Sequence, residues 1–184
     1  MRTKRWLFAA AVVLQVLLLL GMAARHTYTL QTGRPIRLET VPVDPWEMFR
    51  GEYVQLRYKI SELNAGQVPM AGAPYKRGQQ VWVTLRPADP YWVAVAVSDQ
   101  RPSVGGGEVA LQGRVQWWMD EAGPATNWPQ VSIRYGIEQF FVPEGQGPGL
   151  EERRLQISVE AMVDRFGRAA LHRVFVDGKE IEWK

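Results

Sequence analysis

The chain of 184 residues carries 22 basic and 19 acidic residues and no cysteine, so a disulfide framework and a cysteine-linked lipid anchor are both excluded. Arg2, Lys4 and Arg5 stand ahead of everything else, which leaves 19 acidic residues balanced by an equal number of basic ones in the rest of the chain. No basic run interleaves with aromatics, and this counts against nucleic-acid binding.

From Trp6 to Ala24 the sequence is almost continuously apolar. As a helix this run would be roughly 28 Å long, about the thickness of a bilayer's hydrocarbon core. Leu7, Phe8, Val12, Val13, Leu14 and Val16 to Leu20 together favour insertion by on the order of −3 to −6 kcal/mol, with Gln15 as the one polar interruption. The cationic start predicts an amino terminus held in the cytoplasm and a body on the far side. A cleaved signal peptide obeys the same grammar, with small residues at Gly21 to Ala24 as a cleavage region. The length of the run favours an uncleaved anchor. The expected organisation is a cytoplasmic segment 1–5, a membrane span 6–24 and an extracytoplasmic domain 25–184.

After the span, Asp44-Pro45-Trp46-Glu47 has the form of a helix start, with Asp44 as N-cap and Glu47 reaching back to it. Gly51 would supply the left-handed exit. Period-two alternation follows. Val54, Leu56, Tyr58 and Ile60 share one face and Gln55, Arg57 and Lys59 the other. Val81, Val83 and Leu85 repeat the pattern, as do Val93, Val95 and Val97, and the turn Arg86 to Pro90 predicts a hairpin between them. Val109, Leu111, Val115 and Trp117 come next, then Val131, Ile133 and Tyr135. The series Leu155, Ile157, Val159, Ala161, Val163 is the cleanest, and Leu171 to Val176 ends at an Asp177-Gly178 turn before a short strand near Ile181. A second short helix is expected near residues 149–154. The echo between Arg50-Gly51-x-x-Val54 and Arg77-Gly78-x-x-Val81 is read as shared turn grammar. Eight or nine short strands bounded by Gly and Pro predict a mainly β domain, a single antiparallel sandwich or barrel-like body with one or two helical turns.

The phrase Gly51-Glu52-Tyr53-Val54-Gln55-Leu56-Arg57-Tyr58, its lead-in Pro42-Val43-Asp44-Pro45 and Phe49-Arg50, and two later blocks carry a resemblance. The later blocks are Tyr135-Gly136-Ile137-Glu138-Gln139-Phe140-Phe141-Val142-Pro143-Glu144-Gly145, and Gly167-Arg168-Ala169 with Val176-Asp177-Gly178-Lys179. Together they resemble the GDYXXLXY family of bacterial membrane-anchored proteins, over roughly residues 28–182. The departure is Glu52 in place of Asp, one methylene longer for any turn that needs a carboxylate close to the backbone. The resemblance implies a single-pass protein accompanying a polytopic membrane partner, and implies no reaction.

Catalytic signals are thin. Glu47-Met48-Phe49-Arg50-Gly51-Glu52 superficially resembles the Ser-Met stretch of signal-peptidase-like β-folds, but Glu47 stands where a serine nucleophile is needed. His26 and His172 are too few for an imidazole metal site, and His172 reads as a strand residue. Glu138, Glu144 and Glu151 could hold a hard cation or serve a hydrolase or small-ligand site; equally, Glu138 pairs with an arginine and the Gly/Pro-rich loop carrying Glu144 is a rigid turn. No cofactor and no metal are expected. For the signature block, one reading makes Tyr53 and Tyr58 packing residues with bonded hydroxyls. The other makes Arg50, Gly51, Glu52, Tyr53, Tyr58, Tyr135, Glu138 and Glu144 a surface for a binding partner. The expectation is therefore an accessory, protein-interaction module, with enzymatic activity left open.

Overall fold

A computed structural model describes residues 2–41, 53–120, 127–141 and 157–181. The helical turns expected at Asp44 to Gly51 and near 149–154 lie outside those residues. Helix α1 runs Arg2–Thr32, well past the apolar run. Its section Trp6–Thr32 is long and apolar enough to cross a membrane; the apolar part is not buried against the rest of the protein, whereas Thr29 near the end is buried. Thr29 and Thr32 hydroxyls return to the carbonyls of Arg25 and Tyr28, which lets β-branched polar residues continue the helix. The helix stops at Gly33, whose N–H still bonds the Thr29 carbonyl at 3.0 Å. A Cβ here would lie 2.5 Å from that carbonyl and 2.9 Å from the Met162 Cβ, so glycine is what allows the chain to turn so close to the sheet.

No linker separates helix and domain. Strand β1 (Arg34–Val41) begins one residue later and pairs antiparallel with β11 (Ile157–Val163). The sheet is completed by β3 (Arg57–Tyr58), β12 (Ala169–Val176) and β13 (Lys179–Glu180), in the order β13-β12-β11-β1-β3. A six-stranded sheet faces it, built from β4 (Glu62–Asn64), β5 (Met70–Ala71), β6 (Gln80–Pro87), β7 (Trp92–Ser98), β8 (Val109–Met119) and β9 (Gln130–Arg134), in the order β4-β9-β8-β6-β7-β5. Strands β2 (Tyr53–Gln55) and β10 (Gln139–Phe141) form a small third sheet. The body is a mainly β half-barrel, antiparallel except for the β5–β7 pair. Its core packs Ile36 and Leu38 with Val81, Val83, Leu85, Leu111, Val131, Ile133 and Val159.

Bulges set the curvature and explain where the expected alternation fails. The β6–β7 hairpin forms as expected, but its register shifts between Thr84 and Leu85. Val97 stays inside while Val93 turns out, 44% exposed. In β8 the register shifts between Val115 and Trp117, since one extra residue exchanges the faces that follow. Trp117 therefore points to solvent, and Trp118 takes the inward position against Tyr75, ring centroids 5.3 Å apart and nearly perpendicular.

Candidate functional site

The signature segment is not one strand. Its burial alternates as the sequence predicts, with Leu56, Tyr58 and Ile60 inside and Gln55, Arg57 and Lys59 outside, yet its backbone changes partner every few residues. Residues 53–55 pair with β10, 57–58 with β1, and, after a 3-10 turn at Lys59–Ser61, residues 62–64 pair with β9. It ties all three sheets together.

Two tyrosines lock that tie. Tyr58, 1% exposed, donates its hydroxyl to the Ile137 carbonyl at 2.5 Å. Tyr135, 7% exposed, donates to the Ile60 carbonyl at 2.5 Å. Each segment thus sends a phenol into the other's backbone. Glu138 fastens the second segment on itself: its carboxylate accepts the N–H groups of Tyr135 and Gly136 at 2.5 and 2.9 Å, and its carbonyl accepts Leu56 N–H at 2.7 Å. Gly136, at φ 85°, makes this tight return possible. Burial, and secondarily the nearby Glu138 charge, push both phenols well above their ordinary pKa. Burial and the neighbouring Asp99 push Tyr75 up to about 12.

Of the residues expected to form a partner surface, Tyr58, Tyr135 and Glu138 are therefore brought together, but as an internal fastening. The Glu138 carboxylate bonds the backbone, and among the described residues no arginine is within ion-pair distance of it. Tyr53 lies in the β2–β10 pair; Arg50, Gly51, Glu52 and Glu144 lie outside the described residues. Among those described, no group of three or more His, Asp or Glu could hold a metal ion. His172 sits on β12 with Nδ1 3.0 Å from the Glu160 carboxylate of β11.

A second constellation lies where α1 meets the domain. Asp164, 5% exposed, ends β11. One carboxylate oxygen accepts the Thr29 hydroxyl of α1 at 3.0 Å, and the other accepts the N–H groups of Phe166 and Arg168 at 2.8 and 3.0 Å. Beside it opens a cleft of about 390 Å³ whose walls carry Arg25, Arg114, Arg134 and Arg168 together with Gln80 and Gln112. Among the described residues, no carboxylate lines it. Arg114 and Arg134 are direct cross-strand partners, an arrangement of like charges that destabilises a sheet. Among the described residues, none of the four arginines is within ion-pair distance of an acid. Arg114 bonds the Gly78 carbonyl at 3.0 Å, and Arg168 lies over the Phe166 ring at 5.5 Å. These arginines come from four separate elements, so no spacing in the sequence marks them. The available signals are that Arg25 is the first charge after the apolar run and that Arg168 stands in the Gly167-Arg168-Ala169 block.

Comparison with curated proteins found no match, and neither did comparison with solved structures. A model of the family described as GDYXXLXY protein matches residues 15–174, most of the chain, and the protein belongs to that family.

Proposed function

We propose that this protein is a single-pass anchored module of a bacterial cytoplasmic membrane complex, amino terminus inside and β-domain outside the cytoplasm, which binds a polytopic membrane protein. The observation that carries the reading is an exposed apolar group at one end of the β8–β9 pair. Trp117, Met119 and Trp128 are 38%, 42% and 56% exposed. Trp117 and Met119 face Ser132 and Gln130 across the same pair, so their side chains share one face. Aromatic residues and methionine are enriched in protein interfaces, and large aromatics dominate their energetics. The linker-free junction at Gly33 supports the same reading, because it holds that group at a fixed distance and orientation from the bilayer.

A hydrolase or cation-binding reading centred on Glu138 gains nothing from the geometry, as that carboxylate is engaged with Tyr135 and Gly136 N–H groups. The test is photo-crosslinking in intact membranes from position 117, with Met119→Ala and Trp128→Ala as controls. The expected outcome is a polytopic membrane-protein adduct, lost in both variants with unfolding temperature unchanged. Crosslinks that never reach a membrane protein, or loss of the chain from carbonate-washed membranes, would overturn the reading. So would a β-domain shielded from protease added outside the cytoplasmic membrane.

A further inference from the structure

We propose that the arginine cleft at the foot of the domain binds the phosphate of an anionic phospholipid headgroup. The proposal rests on the anchored reading of α1 but is independent of the partner surface.

The chemistry of the cleft is one-sided. Arg25, Arg114, Arg134 and Arg168 line it, with Gln80, Gln112 and Tyr135 between them and, among the described residues, no acid. Guanidinium groups present planar forks that match a phosphate's paired oxygens. Holding Arg114 directly opposite Arg134 costs stability, and a bound anion removes that cost. The nearby acids are engaged elsewhere: Asp164 with Thr29 and two N–H groups, Glu138 with the N–H groups of Tyr135 and Gly136.

The position of the cleft favours a lipid as the source of that phosphate. Arg25 follows directly on the apolar run ending at Ala24. The headgroup layer is about 5–7 Å deep on each side of the hydrocarbon core, or about four residues of helix. Arg25 to Thr29 would therefore cross that layer, and the cleft shares its height. A second feature marks the same level. Phe166, 40% exposed, meets Tyr28 of α1 with ring centroids 6.5 Å apart. Arg165 and Arg168 lie over the Phe166 ring at 4.8 and 5.5 Å. Aromatic rings at the headgroup level are the common anchors of membrane proteins, and each arginine close to an anionic surface strengthens attachment roughly fivefold. A zwitterionic headgroup would bring an ammonium into an all-cationic cleft and should be rejected.

The test uses the full-length protein in detergent micelles, read by native mass spectrometry with phosphatidylglycerol or phosphatidylcholine of the same acyl chains. The expected result is one retained phosphatidylglycerol per chain, preferred over phosphatidylcholine by about tenfold or more. That preference should fall to near one in Arg114→Gln/Arg134→Gln, with the unfolding temperature held; Arg25→Gln, on the exposed helix, gives an independent loss should the double variant fold poorly. Equal retention of the two lipids, or an unchanged preference in the variants, would overturn the proposal. Displacement of phosphatidylglycerol by millimolar inorganic phosphate would also overturn it, in favour of a free-anion site. The same spectrum checks the underlying reading: a chain mass lacking the leader would refute the anchor and the lipid site together, whereas an intact mass without lipid preference would refute the lipid site alone.

Discussion

The tyrosine lock and the arginine cleft adjoin at Tyr135 and Gly136 but treat their polar groups in opposite ways. The lock is built from the residues that make the chain recognisable, it is buried, and its hydroxyls and the Glu138 carboxylate are satisfied within the molecule. The cleft gathers arginines from distant parts of the chain, it is open, and like charges face one another across it. A family signature can thus mark the place where a fold is fastened, while the capacity to bind something lies where the chain leaves charge uncompensated. Tyr58 and Tyr135 hold three sheets in register; Arg114 and Arg134, on the strand pair beside them, contribute nothing to that.

The contrast is broken most forcefully by truncating the lock. Tyr135→Ala empties a core position and orphans the Ile60 carbonyl, and it should destabilise the protein by about 3–5 kcal/mol in chemical denaturation within micelles. Removal of the Asp164 carboxylate comes next. Asp164→Ala strands the N–H groups of Phe166 and Arg168, leaves the Thr29 hydroxyl only its Arg25 carbonyl, and should cost about 1.5–3 kcal/mol. Faster hydrogen exchange near residues 29–33 would show that the helix end has come loose from the sheet. Removing single hydroxyls sharpens the picture further. Tyr58→Phe and Tyr135→Phe should each cost about 1–2 kcal/mol, and the double variant should cost less than their sum, because both bonds clamp the same two segments. Smallest of all, Arg114→Gln/Arg134→Gln should move stability by no more than about 0.5 kcal/mol, and in the favourable direction if relief of the facing charges dominates.

Much of the fold was legible in the residues. Period-two alternation located β6, β9, β11 and β12, and the Asp177-Gly178 turn before β13 follows from the left-handed backbone that both residues adopt. What alternation cannot show is a bulge. The extra residue near Trp117 exchanges inside for outside without changing composition, and so an expected core tryptophan became an exposed one. Nor does it show a change of pairing partner: residues 55–60 alternate as one strand would, yet the segment 53–64 serves three sheets. At the signature block, residue type suited both a packing role and a contact role, and burial chose packing for Tyr58. Arg25, Arg114, Arg134 and Arg168 were illegible for another reason. They are brought together only by strand order and by the helix docking on Asp164, and neither is written locally.

The account turns on the signature tyrosines being internal fasteners, and phenol ionisation reports this directly. A buried phenol resists losing its proton, so the folded pKa values of Tyr58 and Tyr135 lie above those of the unfolded chain. Below about pH 10 both states keep the proton and stability is indifferent to pH. Above it the unfolded chain releases protons that the folded one retains, and stability falls as pH rises. In an ultraviolet titration of the intact protein, three of the six tyrosines, namely Tyr58, Tyr75 and Tyr135, should keep their protons near pH 10 and release them only at higher pH or on unfolding. A single step near pH 10 that accounts for all six while the circular dichroism remains native would contradict the account.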